Sequence, residues 1–194
     1  MPRSTDHKDR SRRKILTAAG QLFRRHGYDG VGIDRLMAAA GLTRGAFYAH
    51  FTSKAALFTE VMRVDHGITR HLQARRSTGG SALRTETLAV LGNYLDPAHL
   101  DVVRQGCTFA ALTGDAARGD AATRETYTAA LRSFMAELEK AVDGPEHREP
   151  VAILTAVLAI GGITIAGAVN DRRLAATILD TCRDEIEQRL GSKK

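Results

Sequence analysis

The segment 41–58, GLTRGAFYAHFTSKAALF, constrains the fold most, because it leaves room only for very short helices. Gly41 favours the end of one helix, and Thr43 is a suitable N-cap for a helix over 44–51. Ser53 then predicts the start of a further helix. A helix, a turn containing glycine and a second helix are therefore expected in close succession.

Two helices are predicted upstream of this segment. Apolar residues recur at three- and four-residue spacing over 9–26, and Gly27 suits the left-handed end of that helix. The same spacing predicts a short helix over 33–40, with Gly32 as its N-cap. The first 60 residues thus divide into four helical segments with brief turns.

Composition favours helices in the rest of the chain as well. Of 194 residues only 5% are aromatic and tryptophan is absent, whereas strands favour aromatic and β-branched residues. We therefore expect an all-α fold. Helices are predicted over 82–95, 123–142, 149–168 and 172–190, a linker over 75–81 and a long loop over 113–121.

Charge is distributed unevenly along the chain. Residues 1–76 hold 15 Lys and Arg against 6 Asp and Glu, a net +9, whereas 77–194 hold 13 against 16, a net −3. A basic first part indicates a polyanionic partner, either nucleic acid or an anionic membrane surface. Cys107 and Cys182 lie far apart with no C-x-x-C motif, and the N-terminus resembles no secretory signal, so we expect a cytoplasmic protein.

The stretch 151–169 holds 19 consecutive uncharged residues, close to the roughly 20 that span a bilayer. Against a membrane span stand the Gly161–Gly162 pair and the lack of flanking aromatic residues. We interpret it as a buried helix that packs with 172–190 where two subunits meet, which predicts a dimer and no membrane. A basic membrane-associated protein is the competing interpretation.

A helical wheel of 44–51 separates two faces. Phe47 and Phe51 fall together and should anchor the helix to the core, while the opposite face holds only small residues, Gly45, Ala46 and Ala49. The polar side chains of the helix lie to either side of this bare strip. A helix of this kind can enter the DNA major groove deeply, with alanine against thymine methyl groups.

Polar and charged side chains beside the strip suit contacts with phosphate groups. Tyr48 and His50 flank the strip, one on each side. Lys54 lies in the first turn of the next helix, where a cation opposes the helix dipole, so a phosphate bound at that helix start would explain it. Each of these residues alone could equally be an ordinary surface residue.

These residues match a known family in an ordered series of motifs. The stretch 12–60 contains L-F-x-x-x-G-Y, A-A-G-L-T, G-x-F-Y-x-H-F and S-K-x-x-L-F, and it resembles the N-terminal domain of the tetracycline-repressor (TetR) family of bacterial regulators. Gly32 and Ala56 depart mildly from the family pattern, where a Ser or Thr cap and a Glu are usual.

The resemblance implies the organisation and function of the chain. It implies a three-helix helix-turn-helix DNA-binding domain over 1–54 and a helical effector-binding and dimerisation domain over 55–194. A homodimer would bind a palindromic operator in double-stranded DNA as a repressor, and a small effector would release it. The predicted DNA-binding residues are Thr43, Arg44, Gly45, Ala46, Tyr48, Ala49, His50 and Lys54.

The effector site is predicted from apolar residues with a few polar tips in the segment 82–142, together with one cysteine. The candidates are Tyr94, Cys107, Phe109, Tyr127, Phe134 and Met135. Cys107 follows Gly106 and could start a helix, where a thiolate is favoured, so a redox or electrophile sensor is an alternative to noncovalent binding. A small buried apolar side chain is the simpler interpretation of Cys107.

Enzyme and metal sites are not indicated by any motif. The nearest phosphate-loop candidate, GVGIDR over 30–35, lacks a third glycine and follows no predicted strand. His66 and His71 would lie about 140° apart on a helix, so they cannot share one metal-binding face. We therefore expect a regulator that has no catalytic activity, cofactor or metal.

Overall fold

The computed structural model describes residues 3–64 and 66–191, and the regular structure in those residues is entirely helical. The all-α prediction is confirmed. The α-helices are α1 (Arg3–His26), α2 (Ile33–Ala39), α3 (Arg44–Phe47), α4 (Lys54–Val64), α5 (Gly67–Gln73), α6 (Gly80–Tyr94), α7 (Leu100–Gly106), α8 (Thr108–Arg118), α9 (Ala121–Glu139), α10 (Arg148–Ala166) and α11 (Arg172–Gly191).

The chain divides into two compact units. The first unit is Met1–Asp65 with Ala111–Thr128, and the second unit is His66–Ala110 with Ala129–Lys194. Helices α8 and α9 each contribute residues to both units. The first unit is therefore discontinuous in sequence: a later segment, 111–128, packs with residues 1–65.

Aromatic and aliphatic side chains from α1 to α4 form the core of the first unit. Phe23 is fully buried and meets Phe58 edge to face, with ring centroids 5.2 Å apart. Phe47 of α3 and Phe51 after it are buried in the same cluster, as the wheel predicted. Burial of these rings fixes α3, a helix too short to be stable alone.

The predicted loop over 113–121 is wrong, because most of it is helical. Helix α8 continues to Arg118, and its residues Leu112 and Ala116, one turn apart, are buried in the core of the first unit. Only Gly119 and Asp120 interrupt the helices, and the Asp120 carboxylate accepts a hydrogen bond from the Thr123 N–H at 2.8 Å. Burial of one apolar face thus outweighs the glycine and aspartate signals.

Other boundaries differ by less. Helix α1 begins at Arg3 rather than residue 9, and α3 ends at Phe47, after which 48–50 form a turn. The turn keeps helical hydrogen bonding, since the Phe51 N–H donates to the Phe47 carbonyl at 3.0 Å. The predicted Ser53 cap is confirmed by a 3.0 Å bond from the Ala56 N–H to Ser53 Oγ.

In the second unit, α10 and α11 form an antiparallel pair in close contact. An added Cβ at Gly162 would lie 3.1 Å from Cys182 Sγ, so glycine permits the approach. Among the described residues, Pro145–Ala166 is long and apolar enough to cross a membrane by length and composition, and 39% of its most apolar window is buried within the chain. The core helix of a soluble protein passes the same test.

A buried ion pair holds the segment that precedes α6. The Arg75 guanidinium donates to Glu137 Oε2 at 2.9 Å and to the Glu137 carbonyl at 2.9 Å, and it also bonds the Thr87 hydroxyl. Nearly every donor of this arginine therefore has a partner, which a buried charge requires. The non-helical stretch 75–79 is tied to α6 and α9 rather than being a free linker.

A carboxylate on α4 links that helix to α1. Glu60 accepts hydrogen bonds from Arg63 at 2.6 Å and from Arg12 at 2.7 Å. The Arg63 bond, reinforced by Arg12, lowers the pKa of the Glu60 carboxyl from 4.5 to about 2, although burial opposes the shift. Arg12 also lies over the Phe51 ring, 5.3 Å from its centroid, so one guanidinium joins α1, α4 and the end of the α3 turn.

We expect Glu60→Gln to lower the free energy of unfolding at pH 7 by about 1 to 2 kcal/mol. Because the folded-state pKa is depressed, the stabilisation is complete above about pH 4.5 and is lost as pH falls towards about 2. Urea unfolding from pH 7 to pH 3 should therefore show the two proteins converging in acid. Glu125→Gln, at an exposed position of α9, is the control; an equal effect there would remove the special role of Glu60.

Candidate functional site

A tight turn between α2 and α3 sets the direction of the short helix. Gly41 has a φ of +66°, a backbone conformation that residues with a Cβ rarely adopt. The Leu42 N–H donates to the Met37 carbonyl at 3.0 Å and closes the turn. Thr43 is the N-cap residue, but its side chain makes no capping hydrogen bond.

The outer face of α3 and its following turn is exposed and small. Gly45 and Ala49 are exposed, Ala46 is half-buried, and Tyr48 is 58% exposed. Among the described residues, no atom beyond the neighbouring residues and the local helix backbone lies within 4 Å of the position that a Cβ on Gly45 would occupy. The first unit therefore presents a bare strip on the side of α3 opposite Phe47.

An exposed ion pair joins α3 to α2. Arg44 donates from one guanidinium nitrogen to both carboxylate oxygens of Asp34, at 2.9 and 3.0 Å. Both side chains are largely exposed, so the pair contributes little to stability. The ion pair holds the Arg44 guanidinium beside the α2–α3 turn. A phosphate group there could replace the Asp34 carboxylate as the hydrogen-bond partner of Arg44.

His50 lies at the other side of the strip, partly buried. Its Nδ1 atom is inaccessible and has no hydrogen-bond partner among the described residues. Burial lowers the pKa of His50, and the cations Lys8 and Arg12 lower it further, while Asp9 opposes them. The imidazole is therefore held towards its neutral form, in which one ring nitrogen can donate to a phosphate oxygen.

Lys54 has partners inside the first unit. Its ammonium donates to the Val31 carbonyl at 3.1 Å and lies 4.1 Å from the centroid of the Tyr28 ring. These two contacts explain a cation in the first turn of α4 without a phosphate. Contact with a phosphate remains a prediction that requires the side chain to serve both roles.

A cavity of about 550 Å³ lies in the second unit, between α5, α6 and α7. Its apolar walls come from Ile68, Ala89, Val90 and Val102. Its polar lining is supplied by His71, Asn93, Tyr94, His99 and Cys107. The volume falls within the roughly 300 to 1,000 Å³ usual for small-molecule sites.

Two of the six predicted effector-site residues line this cavity. The Tyr94 hydroxyl donates to Cys107 Sγ at 3.0 Å, and both side chains are buried in its wall. Phe109 and Phe134 are not part of the lining: they are fully buried, with ring centroids 5.6 Å apart. Met135 is half-buried and outside the lining, and Tyr127 packs against the core of the first unit.

Other lining residues were missed by the sequence analysis, and part of the signal was available. Ala89 and Asn93, like Val90 and Tyr94, are four residues apart and share one face of α6. A search along this face of α6, starting from Tyr94, would have predicted the other lining residues of the helix. His71 and His99 carried no comparable signal, because they belong to other helical segments.

Comparison with known proteins relates residues 15–61 of the first unit to a known family. The family described as "Bacterial regulatory proteins, tetR family" matches residues 15–61. The transcriptional repressor Rv1474c of Mycobacterium tuberculosis is 44% identical over 66 residues, which is 34% of this chain and 35% of that protein. Residues 15–61 of this chain therefore match the TetR family.

Solved structures extend the likeness in fold to nearly the whole chain. A TetR-family regulator from Cytophaga hutchinsonii superposes with a TM-score of 0.76 at 22% identity, over 96% of this chain and 98% of that one. Reduced NemR from E. coli gives 0.75 at 19% identity, over 92% and 95%. Identities this low establish the fold alone.

The sequence likeness to the curated TetR-family relatives is confined to part of each protein. The chain spans about a third of the length of Rv1474c in the matched region. The matched family segment holds α2 and α3, whereas the cavity of the second unit lies entirely outside it. The family match therefore supports the assignment of a helix-turn-helix, but it does not indicate which ligand the cavity binds.

Proposed function

We propose that this chain is a ligand-responsive transcriptional repressor that binds a palindromic operator as a homodimer. The observation that carries the proposal is the strip of small residues on α3 and its following turn, where Gly45 and Ala49 are exposed and Ala46 is half-buried, while Phe47 anchors the other side in the core. Small side chains let the α3 backbone approach base edges in the major groove. The match to the TetR family supports the same conclusion.

Phosphate contacts on both sides of the strip would set its register. Tyr48 and His50 flank it, and Thr43, Arg44 and Lys54 lie at the helix starts nearby. The first unit holds 14 Lys and Arg against 9 Asp and Glu, and this net charge of +5 would draw it to DNA regardless of sequence. Base contacts from the strip would then supply discrimination.

The homodimer is supported by an uncovered apolar face on α10. Leu154, Val157 and Ile165 are each more than 40% exposed and follow one another at helical spacing, with Gly161 between them. Among the described residues, no atom outside the backbone of α10 itself and the two neighbouring residues lies within 4 Å of an added Cβ at Gly161, so a partner helix could approach closely there. A second copy of this chain is the proposed partner, since identical helices can pack face to face about a twofold axis.

The direct test begins with purified chain and a pool of random duplex DNA. Repeated selection should enrich an inverted repeat whose half-sites lie about one helical turn, or a multiple of it, apart. Mobility shifts should then give a stoichiometry of two chains, or a multiple of two, per site. Failure to enrich any sequence over several rounds would refute specific DNA binding.

An effector in the second unit would act by binding more tightly to the conformation that does not bind DNA. Operator affinity and effector affinity must then weaken each other by the same factor. A ligand that binds the cavity without changing operator affinity would contradict the ligand-responsive part of the proposal. DNA recognition itself would be untouched by that result.

A cysteine-based sensor is the second candidate, favoured by the 3.0 Å hydrogen bond from Tyr94 to Cys107 at the cavity wall. A hydroxyl that donates to sulfur favours the nucleophilic anionic form. Both cysteines are largely shielded from solvent, but Cys182 is the weaker candidate because it is not among the described residues that line the cavity.

We expect Cys107→Ser to retain operator binding, because serine preserves a small side chain that the Tyr94 hydroxyl can contact. Iodoacetamide treatment of both proteins, followed by mobility shift, separates the two mechanisms. Release of only the parent protein from DNA would establish Cys107 as the sensor. An equal response of both proteins would exclude Cys107: release of both would indicate another nucleophile such as Cys182, and release of neither would leave noncovalent binding.

A further inference from the structure

The cavity of the second unit has a mostly apolar, buried inner wall and a polar rim. Ile68, Tyr94 and Cys107 are buried and form its inner wall. The polar atoms there already have partners, since the Tyr94 hydroxyl donates to Cys107 Sγ. His71, Asn93 and His99 are exposed and form the rim. An occupant would therefore place its apolar part inside and its polar part near solvent.

Ionised side chains are absent from the described residues that line the cavity: none of them is Asp, Glu, Lys or Arg. An ion brought into this site would lose water without gaining a counter-charge from those residues, which is costly. Asp96 adds a bias against anions, because its carboxylate lies 3.7 Å from Nδ1 of His99 on the rim. That carboxylate accepts a hydrogen bond from the Ala98 N–H at 2.8 Å and is not among the described residues that line the cavity, so it does not supply a cation partner inside it.

We propose that the cavity binds an uncharged amphiphile: an aliphatic or aromatic body with one neutral hydroxyl or carbonyl group. The body would fill the space between Ile68, Val90 and Val102, and the polar group would meet the histidine and amide side chains of the rim. Neutral imidazole and the Asn93 amide can each donate to and accept from such a group. The inference rests on the proposed function only in treating this cavity as the effector site.

The test uses three ligands of equal chain length and different charge. Nile red, an uncharged dye whose fluorescence rises in apolar surroundings, is bound to the full-length chain at pH 8 and displaced by 1-octanol, octanoate or octylammonium. We expect 1-octanol to displace the dye at a concentration at least about tenfold lower than either ion. Equal or better displacement by octanoate or octylammonium would overturn the assignment of a neutral ligand.

Two substitutions on α6 locate the dye. Ala89→Phe adds a ring inside the cavity at an exposed position and should abolish the signal that 1-octanol can displace. Ala82→Phe adds the same ring at an exposed position of the helix outside the lining, and should leave that signal unchanged. Retention of the signal in Ala89→Phe would place the dye elsewhere, including the apolar face of α10, and would refute the cavity as the site.

A third substitution tests charge as the cause of the preference. Asn93→Lys places a cation on the rim without enlarging the core, and it should lower the octanoate concentration needed by at least about tenfold. No gain for octanoate would contradict the electrostatic argument. All of these measurements are made without DNA, so their failure leaves operator binding standing, and failure to find an operator leaves the ligand class standing.

Discussion

Val157→Glu is expected to convert the protein to a monomer and to weaken operator binding by at least about a hundredfold. Val157 is 61% exposed at the centre of the apolar face of α10, between Leu154 and Ile165. In a symmetric dimer one substitution puts two carboxylates near the twofold axis. Both would lose water, and they would also repel each other.

The loss of DNA affinity follows from the loss of the second half-site. In a dimer, binding of one helix-turn-helix places its partner close to the other half-site, which raises affinity by about 10² to 10⁴ over a single module. A monomer keeps the α3 strip and its basic surroundings but not that gain. The affinity for a half-site duplex should therefore be unchanged, and the affinity for the full-site duplex should fall to nearly the same value.

Analytical ultracentrifugation gives the oligomeric state, and mobility shifts on full-site and half-site duplexes give the affinities. Val64→Glu is the matched control, since it makes the same change at a 40% exposed valine at the end of α4, outside both the α10 face and the cavity lining. A dimeric Val157→Glu protein with parental full-site affinity would refute α10 as the dimer interface.

The candidate DNA-binding face of the first unit could be predicted because local sequence determines its structure. Gly41, Thr43 and Ser53 mark the helix boundaries, and the four-residue spacing of Phe47 and Phe51 fixes which side of α3 is buried. Such signals act within one or two turns of chain, so a wheel drawn on 44–51 captured the exposed strip. It did not capture the early end of α3, because residues 48–50 keep helical hydrogen bonds in a turn.

Contacts between distant segments were beyond the reach of local patterns. The Lys54 charge is explained by Val31 and Tyr28, more than twenty residues away, and these contacts depend on how α4 meets the turn after α1. The same holds for the cavity, whose rim joins residues of three helices. Apolar spacing indicates that Phe109 and Phe134 are buried, but cannot separate a residue in a packed core from one that lines a void.

Ala49→Leu should reduce the preference for operator over random DNA by at least about tenfold while leaving the fold and the dimer intact. Leucine is a good helix former, and residue 49 is exposed on the side of the α3 segment opposite Phe47. The larger side chain would hold the backbone away from the groove floor. Each interaction with a base edge that is prevented in this way removes about 1 to 3 kcal/mol of discrimination.

Nonspecific affinity should change little, because the basic residues of the first unit still reach the phosphate groups and keep their salt dependence. Ala122→Leu, at an exposed alanine of α9 in the same unit, is the size-matched control and should behave as the parent. Operator and random duplexes are compared in mobility shifts over a salt series, with thermal unfolding to check the fold. A folded, dimeric Ala49→Leu protein that still discriminates as well as the parent would show that α3 does not read bases through this strip.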